Sequence, residues 1–345
     1  MIRIICGPTA SGKTALAIKL AGADPASIIS ADSRQIYQGL DIITGKDIPK
    51  DFVKKGNFYE KDNLRLWGLD LLSPDEVYNA SDFSTLTRKI ISEESKQGRT
   101  VFIVGGTGFY LKSLTQPESL AKVPPDEKLR QELEELTIEE LQQKLRDLDS
   151  KRFSSMNQSD VNNPRRLIRA IEIAAYSPPL VIPANASSSR TRVVDPEYPL
   201  GGSIGIDSHF RGNDNTIGLA SLRSGSGMTT FSWLGLKIPL PELRQKIEKR
   251  VLFRLDQGAV AEVENLLASY PDQNLPVYTT LGIKPIVKYI AKEIDLPTLV
   301  NTWVTDELNY AKRQLTWFKK QPEIVWSVIP GPLRSEASLT RNLYK

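Results

Sequence analysis

Short apolar runs alternate with helical patterns in the first third of the chain. Apolar runs occupy Ile2–Cys6 and residues 27–30 and 100–104, and a helical pattern extends over Lys13–Ala21. Because parallel strands need crossover connections that are usually helices, this alternation is typical of a parallel sheet. The pattern therefore predicts an α/β fold with a parallel sheet core flanked by helices.

The next part of the chain has a helical pattern throughout. Leucines recur at helical spacing over residues 129–148, and Thr137 forms a capping box with Glu140. Asn163 and Pro164 then open another helix as its N-cap and first-turn residue. These signals predict a helical insertion domain.

The strand pattern and the helix pattern both disappear in the middle of the chain, where Ser, Gly, Asn and Arg predominate. This composition predicts an irregular, mobile insertion. Regular patterns resume near residue 231, and helices are predicted over about 241–257 and 306–320. The predicted organisation is a first part of the core at 1–115, the helical insertion at 116–182, the irregular insertion at 183–230, a mostly helical continuation of the core at 231–330 and a tail at 331–345.

Composition excludes several classes of protein. The 345 residues suffice for one large domain or two ordinary ones. The single cysteine, Cys6, excludes an intrachain disulfide and a cysteine zinc cluster. No apolar run approaches the roughly 18 residues of a membrane span, and no secretory leader is recognised. We therefore expect a cytoplasmic monomer without membrane contact; the net charge of +4 is too small to identify a polyanionic partner by itself.

Residues 7–14 carry a G-x-x-x-x-G-K-T motif between a predicted strand and a predicted helix. In such a loop, backbone N–H groups and the helix N-terminus bind phosphate oxygens, Lys13 adds positive charge, and the Thr14 hydroxyl can ligate Mg²⁺. The motif predicts a P-loop NTPase-like core that binds a phosphate or diphosphate, without identifying the compound. The predicted diphosphate-binding residues are Gly7, Pro8, Thr9, Ala10, Ser11, Gly12, Lys13 and Thr14.

Other sequence blocks narrow the chemistry. Residues 31–46 contain D-S-x-x-x-Y-x-G-x-D-x-x-T-x-K, which is far more specific than the loop. Together with the segments at 7–14, 105–111, 163–172 and 311–318, this block resembles the tRNA dimethylallyltransferase (tRNA isopentenyltransferase) family of bacterial type. The resemblance implies transfer of a dimethylallyl group from its diphosphate to N6 of the adenosine 3′-adjacent to the anticodon, in tRNAs that read codons beginning with U, with release of diphosphate.

The resemblance also implies roles for individual residues. An adenine amine is a poor nucleophile because its lone pair is delocalised, so it needs positioning and a base, for which Asp32 is the candidate. The leaving diphosphate accumulates charge, which calls for Mg²⁺ and cations, and the resemblance points to Arg250. Thr107 resembles the family threonine at the reacting centre. Looser roles in substrate binding fall to Ser33, Thr44 and Lys46.

Two predicted helices carry basic residues that can follow RNA phosphates. The resemblance implies that they grip the anticodon arm, whose target base must leave its stack before it reacts. The predicted tRNA-binding residues are Arg165, Arg166, Arg169, Lys312, Arg313 and Gln314.

Each of these residues also has a plain structural interpretation. Asp32 and Thr107 can each serve as a helix N-cap, and Arg250 can be a solvated charge on its helix. A basic helical face is often only a solvated surface, and Trp317 and Phe318 can belong to the core.

Departures from the family pattern leave alternatives open. The chain has Leu66, Trp67, Ile283 and Leu308 where relatives tend to carry other residues, which puts RNA contacts in doubt but spares Asp32 and the loop. The alternatives are a small-molecule kinase, a prenyltransferase for free adenine nucleotides, and a non-catalytic RNA-binding protein. His209, the single histidine, receives no catalytic or metal role.

Overall fold

Eight strands form one mostly parallel sheet. The structure, a computed structural model, describes residues 2–116, 123–176 and 230–328. Its strands are β1 Ile2–Cys6, β2 Ala26–Ser30, β3 Val53–Lys55, β4 Phe58–Lys61, β5 Leu64–Trp67, β6 Thr100–Gly105, β7 Phe231–Lys237 and β8 Ile324–Val328. From edge to edge the order is β3, β4, β5, β2, β6, β1, β7, β8. Only β4 pairs antiparallel, with β3 and β5, so the predicted parallel core is confirmed.

The central strands end at nearly the same level. In the parallel register Cys6 pairs with Gly105, and Ser30 pairs with Val104. The loops that follow β1, β2 and β6 therefore leave the sheet side by side at its carboxyl edge, where open α/β sheets bind their ligands.

The sheet and the helices that pack around it form one structural unit. Besides the clusters on the sheet, the helices of this unit form a hydrophobic core of their own. The predicted helix at 306–320 begins about ten residues earlier than expected. The Asp295 side chain accepts a hydrogen bond from the Thr298 N–H, and Leu299 and Trp303 continue the buried face. These helices are α1 Lys13–Ala21, α2 Asp41–Thr44, α3 Ala80–Lys96, α4 Gly108–Thr115, α10 Leu240–Asp256, α11 Ala259–Ser269, α12 Ile283–Ile290 and α13 Leu296–Phe318, with a 3₁₀ turn at Pro276–Thr279.

Residues 123–176 form a second, purely helical unit within the described part of the chain. The predicted capping box of Thr137 with Glu140 is present, and Asn163 caps the last helix, with Pro164 in its first turn. Leu145 belongs to the fully buried core. The helices are α5 Glu127–Glu134, α6 Ile138–Leu148, α7 Ser150–Ser155, α8 Gln158–Val161 and α9 Pro164–Ala175.

Some predictions lie outside the described residues. These are the insertion at 183–230 apart from residue 230, the tail at 331–345, and His209. No helix within the described ranges is long and apolar enough to cross a membrane. Cys6 is buried, and burial raises the pKa of its thiol to about 12.

We predict that Leu145→Ala destabilises the helical unit by about 2–5 kcal/mol, because it removes buried methyl groups and leaves a cavity. Hydrogen exchange of α6 and α9 amides measures the free energy of opening of this unit. Leu148→Ala is the matched control on the same helix, since Leu148 is 48% exposed, and it should cost less than about 0.5 kcal/mol. Equal losses in the two variants would contradict this description of the core.

Candidate active site

A cavity of about 600 Å³ opens at the carboxyl edge of the central strands. It is lined by the predicted phosphate loop, which follows β1, and by the predicted base, Asp32, which follows β2. Polar and charged side chains from five separate stretches of chain converge on it. The principal lining groups are residues 9–14, Asp32, Gln35, residues 44–47, residues 104–106, Lys246, Lys249, Arg250, Tyr310 and Gln314.

Most of the phosphate loop faces this cavity. Residues 9–14 line it, whereas Gly7 and Pro8 do not. The Ser11 hydroxyl is buried and has no hydrogen-bond partner among the described residues. The Lys13 ammonium donates to the Pro8 carbonyl over 2.6 Å, which folds its side chain back across the loop. The ammonium group therefore lies within the loop, where a P-loop lysine meets bound phosphate.

The surroundings of Lys13 shift the pKa of its ammonium group. Its pKa is lowered to about 8, first by burial of the ammonium group and then by the positive charge of Arg250, while Asp32 acts in the opposite direction. Two cations that repel one another in a partly buried site are stabilised by an anion placed between them. The loop is therefore an anion receptor by charge as well as by shape.

Arg250 extends from α10 to the loop. Its guanidinium donates to the Thr9 hydroxyl over 3.2 Å, to the Gly45 carbonyl over 3.0 Å and to the Asp47 carboxylate over 2.7 Å. The alternative interpretation of Arg250 as a solvated helix charge is therefore wrong. Lys246 and Lys249, one turn or less before it, also line the cavity and were not predicted.

The segment around Gly45 is packed tightly beneath these arginines. Gly45 has a φ of 59°, and a Cβ there would lie 2.3 Å from the Arg250 guanidinium, so a larger residue would be strained and would displace that side chain. Behind it, the buried Arg254 donates to Glu307 over 3.0 Å. On the other side, the Glu262 carboxylate accepts from two backbone N–H groups at the start of α2 and holds the segment in place.

Asp32 lines the cavity directly after β2. Its Oδ1 accepts a hydrogen bond from the Arg34 N–H over 2.9 Å, which closes a turn. No helix begins there, so the alternative interpretation as a helix N-cap is wrong. No hydrogen bond within the described ranges engages Oδ2, which leaves that oxygen able to accept a proton or a hydrogen bond from a substrate.

Thr107 and two residues of α13 meet near Asp32. Thr107 occupies the N-cap position of α4 without a capping hydrogen bond, and its hydroxyl is buried without a partner among the described residues. Gly106 lines the cavity, although Thr107 itself does not. Burial raises the pKa of Tyr310 to about 12, against the effect of Thr107 and Gln314 beside its hydroxyl, so the phenol remains a hydrogen-bond donor.

The three residues that were assigned looser roles in substrate binding have different surroundings. Ser33 does not line the cavity, whereas Thr44 does, and the Thr44 hydroxyl donates back to the Leu40 carbonyl. Lys46 is buried, and its ammonium donates to the Tyr37 carbonyl and to the carboxylates of Asp41 and Asp70. Lys46 also lines the cavity, so its role in substrate binding stays a prediction, although these ion pairs already engage its ammonium group.

The predicted RNA-binding residues are also in unequal positions. Within the helical unit, Arg165 and Arg166 are exposed and Arg166 pairs with Asp160, whereas Arg169 donates to Glu172 and to the Val123 carbonyl. Arg169 is therefore committed to packing its own unit, which makes it a weaker candidate for binding RNA phosphates.

The predicted RNA-binding residues of α13 lie in the larger unit. Lys312 and Arg313 are exposed, whereas Gln314 is buried inside the candidate active site. Phe318 is fully buried in the core beside Trp317, which confirms the alternative interpretation of Phe318 as a core residue.

Known proteins resemble this chain over nearly its full length. A family model described as IPP transferase matches residues 35–321. The tRNA dimethylallyltransferase of Acetivibrio thermocellus is 31% identical over 346 residues, which cover 99% of this chain and 96% of that protein. The tRNA dimethylallyltransferase 2 of Geotalea uraniireducens is 32% identical over 334 residues, which cover 95% and 92%.

Solved structures agree with these matches. The tRNA isopentenylpyrophosphate transferase of Bacillus halodurans is 26% identical, with a TM-score of 0.61 over 99% of this chain and 94% of that chain. A eukaryotic dimethylallyltransferase acting on tRNA shares the fold at 21% identity, with a TM-score of 0.68 over 95% of this chain and 73% of that chain. From the P-loop sheet, the cavity at its carboxyl edge and these matches, the chain belongs to the IPP transferase family.

Proposed function

We propose that the protein transfers a dimethylallyl group from dimethylallyl diphosphate to the N6 amine of an adenosine in tRNA and releases diphosphate. The observation that carries this proposal is the shared cavity, which places Lys13 and Arg250 with the phosphate loop and also holds Asp32. The relatives named tRNA dimethylallyltransferase support the assignment of donor and acceptor.

The chemistry follows from these charges. The bond between the allylic carbon and the diphosphate oxygen breaks, and its electron pair stays on diphosphate, where loop N–H groups, Lys13 and Arg250 stabilise the added charge. The N6 lone pair forms the new carbon–nitrogen bond. Oδ2 of Asp32 accepts the proton that the amine then loses. Atoms and charge balance without any further reactant.

The loop also fits a magnesium ion. Thr14 lines the cavity next to Lys13, where a P-loop hydroxyl ligates Mg²⁺. The described residues contain no cluster of three acidic, cysteine or histidine ligands. That fits Mg²⁺, which usually takes only one or two protein ligands and fills its other positions with water and substrate phosphate oxygens. When bound, the ion supplies further positive charge for the leaving diphosphate.

Exposed cations on α13 support the choice of RNA as the acceptor. Lys312 and Arg313 lie between Tyr310 and Gln314 in the sequence of α13, and both of the latter line the cavity. An RNA phosphate backbone held there brings a base to the cavity.

The described helical unit contains nine Lys and Arg and eleven Asp and Glu, so Arg165 and Arg166 would act as individual contacts rather than through overall charge. We further propose the adenosine 3′-adjacent to the anticodon, in tRNAs that read codons beginning with U, as the acceptor.

Incubation of the protein with Mg²⁺, labelled dimethylallyl diphosphate and unmodified tRNA, followed by nucleoside analysis, tests the proposed function. Label on the adenosine 3′ of the anticodon is the expected result. Parallel reactions with labelled ATP and with AMP test the kinase and free-nucleotide alternatives. Turnover of ATP or prenylation of AMP without labelled tRNA would overturn the proposal, as would silence in every reaction.

We predict that the affinity for inorganic diphosphate is highest at pH values below about 8 and falls as the pH rises through that value. Lys13 binds the anion only in its charged form, and its pKa in the free protein is about 8. Calorimetric titration of the protein and of Lys13→Met across this range measures the effect. The variant retains the titration of diphosphate but lacks that of Lys13, so a decline of equal size in both proteins would contradict the prediction.

We predict that Asp32→Asn lowers kcat by about 10²- to 10⁴-fold, because the amide keeps the turn to Arg34 but cannot accept the proton. The dissociation constant for tRNA should stay unchanged, as measured by filter binding. Asp24→Asn removes an exposed carboxylate outside the cavity and serves as the control. Full activity of Asp32→Asn would remove this residue from the proposed chemistry.

We predict that Lys312→Ala weakens tRNA binding and lowers the dependence of log K on log salt by about 0.7–0.9, the value expected for one lost phosphate contact. At saturating tRNA, kcat should remain near that of the unchanged protein. Lys19→Ala removes an exposed lysine at the end of α1 and is the control. An unchanged salt slope for Lys312→Ala would show that this lysine does not contact RNA phosphate.

A further inference from the structure

Gln314 joins two loops that are far apart in the sequence. Its Oε1 accepts a hydrogen bond from the Thr9 N–H over 2.9 Å, and its Nε2 donates to the Gly106 carbonyl over 3.0 Å. The side chain comes from α13, is buried, and lies 305 residues from Thr9 and 208 from Gly106. One amide group therefore connects the phosphate loop to the loop after β6.

The space for this amide is made by a glycine. A Cβ on Gly106 would lie 2.1 Å from the Gln314 Nε2, closer than two such atoms can approach. The glycine and the glutamine therefore depend on one another, because any side chain at Gly106 would displace the amide. A buried amide with both polar atoms satisfied holds a single orientation, since an unpaired donor or acceptor is costly there.

The bond to Thr9 affects how the loop meets an anion. The Thr9 N–H is engaged by Gln314 and so is not available to a phosphate. The Thr9 hydroxyl accepts from Arg250 on the opposite side. Thr9 is therefore held between α13 and α10, and its position sets where the next loop amides and the Arg250 guanidinium face the cavity.

The bond to Gly106 affects the acceptor side. Gly106 immediately precedes Thr107, whose buried hydroxyl lacks a partner among the described residues. Asp32 is adjacent, since β2 and β6 are paired and the Thr107 N–H donates to the Ala31 carbonyl. A shift of the Gly106 carbonyl would therefore move the groups beside the reacting amine.

We infer that Gln314 is a positioning residue that sets the phosphate loop against the loop of Thr107, rather than an RNA contact. This inference rests on the proposed function for its effect on transfer. Its effects on the loop itself are independent of transfer. Loss of the amide should therefore weaken diphosphate binding and slow transfer while leaving tRNA affinity intact.

Gln314→Met keeps the length of the side chain and removes both hydrogen bonds. We expect the dissociation constant for inorganic diphosphate, measured by calorimetry, to rise about tenfold, because the loop loses its fixed position and must be ordered when the anion binds, and kcat to fall. Amide exchange at Thr9 should accelerate, whereas the dissociation constant for tRNA should not change. Gln321→Met is the matched control, because Gln321 follows the same helix and, among the described residues, its side chain bonds only to the Trp317 carbonyl.

Gly106→Ala tests the same contact from the other side. With glutamine kept at position 314, it should reproduce the loss of diphosphate affinity by displacing the amide, and the double variant should lose no more than the larger single loss. This variant also decides the matter if Gln314→Met does not fold. Additive losses, or weaker tRNA binding with unchanged diphosphate affinity in Gln314→Met, would overturn the inference. Failure of the unchanged protein to label tRNA would instead overturn the proposed function.

Discussion

Parallel pairing of β1, β2 and β6 sets the positions on which the rest of the site depends. Since Cys6 pairs with Gly105 and Ser30 with Val104, three loops leave the sheet at one level. The first carries the phosphate-binding amides, the second carries Asp32, and the third carries Gly106 and Thr107. A slip in the register of one strand would separate these loops, because consecutive strand residues face opposite sides of the sheet.

Charge determines what this edge of the sheet can bind. Burial lowers the pKa of Lys13, and repulsion by the charge of Arg250 lowers it further, to about 8. Among the described residues no carboxylate forms an ion pair with Lys13, and a diphosphate at the loop would balance its charge. Two nearby carboxylates pair with arginines instead. Asp47 pairs with Arg250 at the cavity rim, and Glu307 pairs with the buried Arg254. Diphosphate binding and charge stabilisation during its departure therefore use the same groups.

The local parts of this site could be predicted from the sequence, and the distant parts could not. The loop, its following helix and the capping residues depend on neighbours within a few positions, so their spacing carries the signal. Gln314 and Tyr310 lie on a helix whose pattern shows a buried face but not what covers it. The ion pair of Lys46 with Asp70 was not predicted, because the two residues are 24 positions apart and leave no local signal in the sequence. Family resemblance supplied Arg250, which spacing alone would have left on the surface.

A crystal structure of the protein with Mg²⁺ and a thiolodiphosphate analogue of dimethylallyl diphosphate, which cannot transfer its prenyl group, tests the central claim most directly. The account predicts the diphosphate on the amides of residues 10–14 with Lys13 and Arg250 against it, and the first prenyl carbon facing Asp32. An analogue bound elsewhere, or bound in the cavity with its prenyl group directed away from Asp32, would contradict the claim that one cavity joins the leaving group to the proton acceptor.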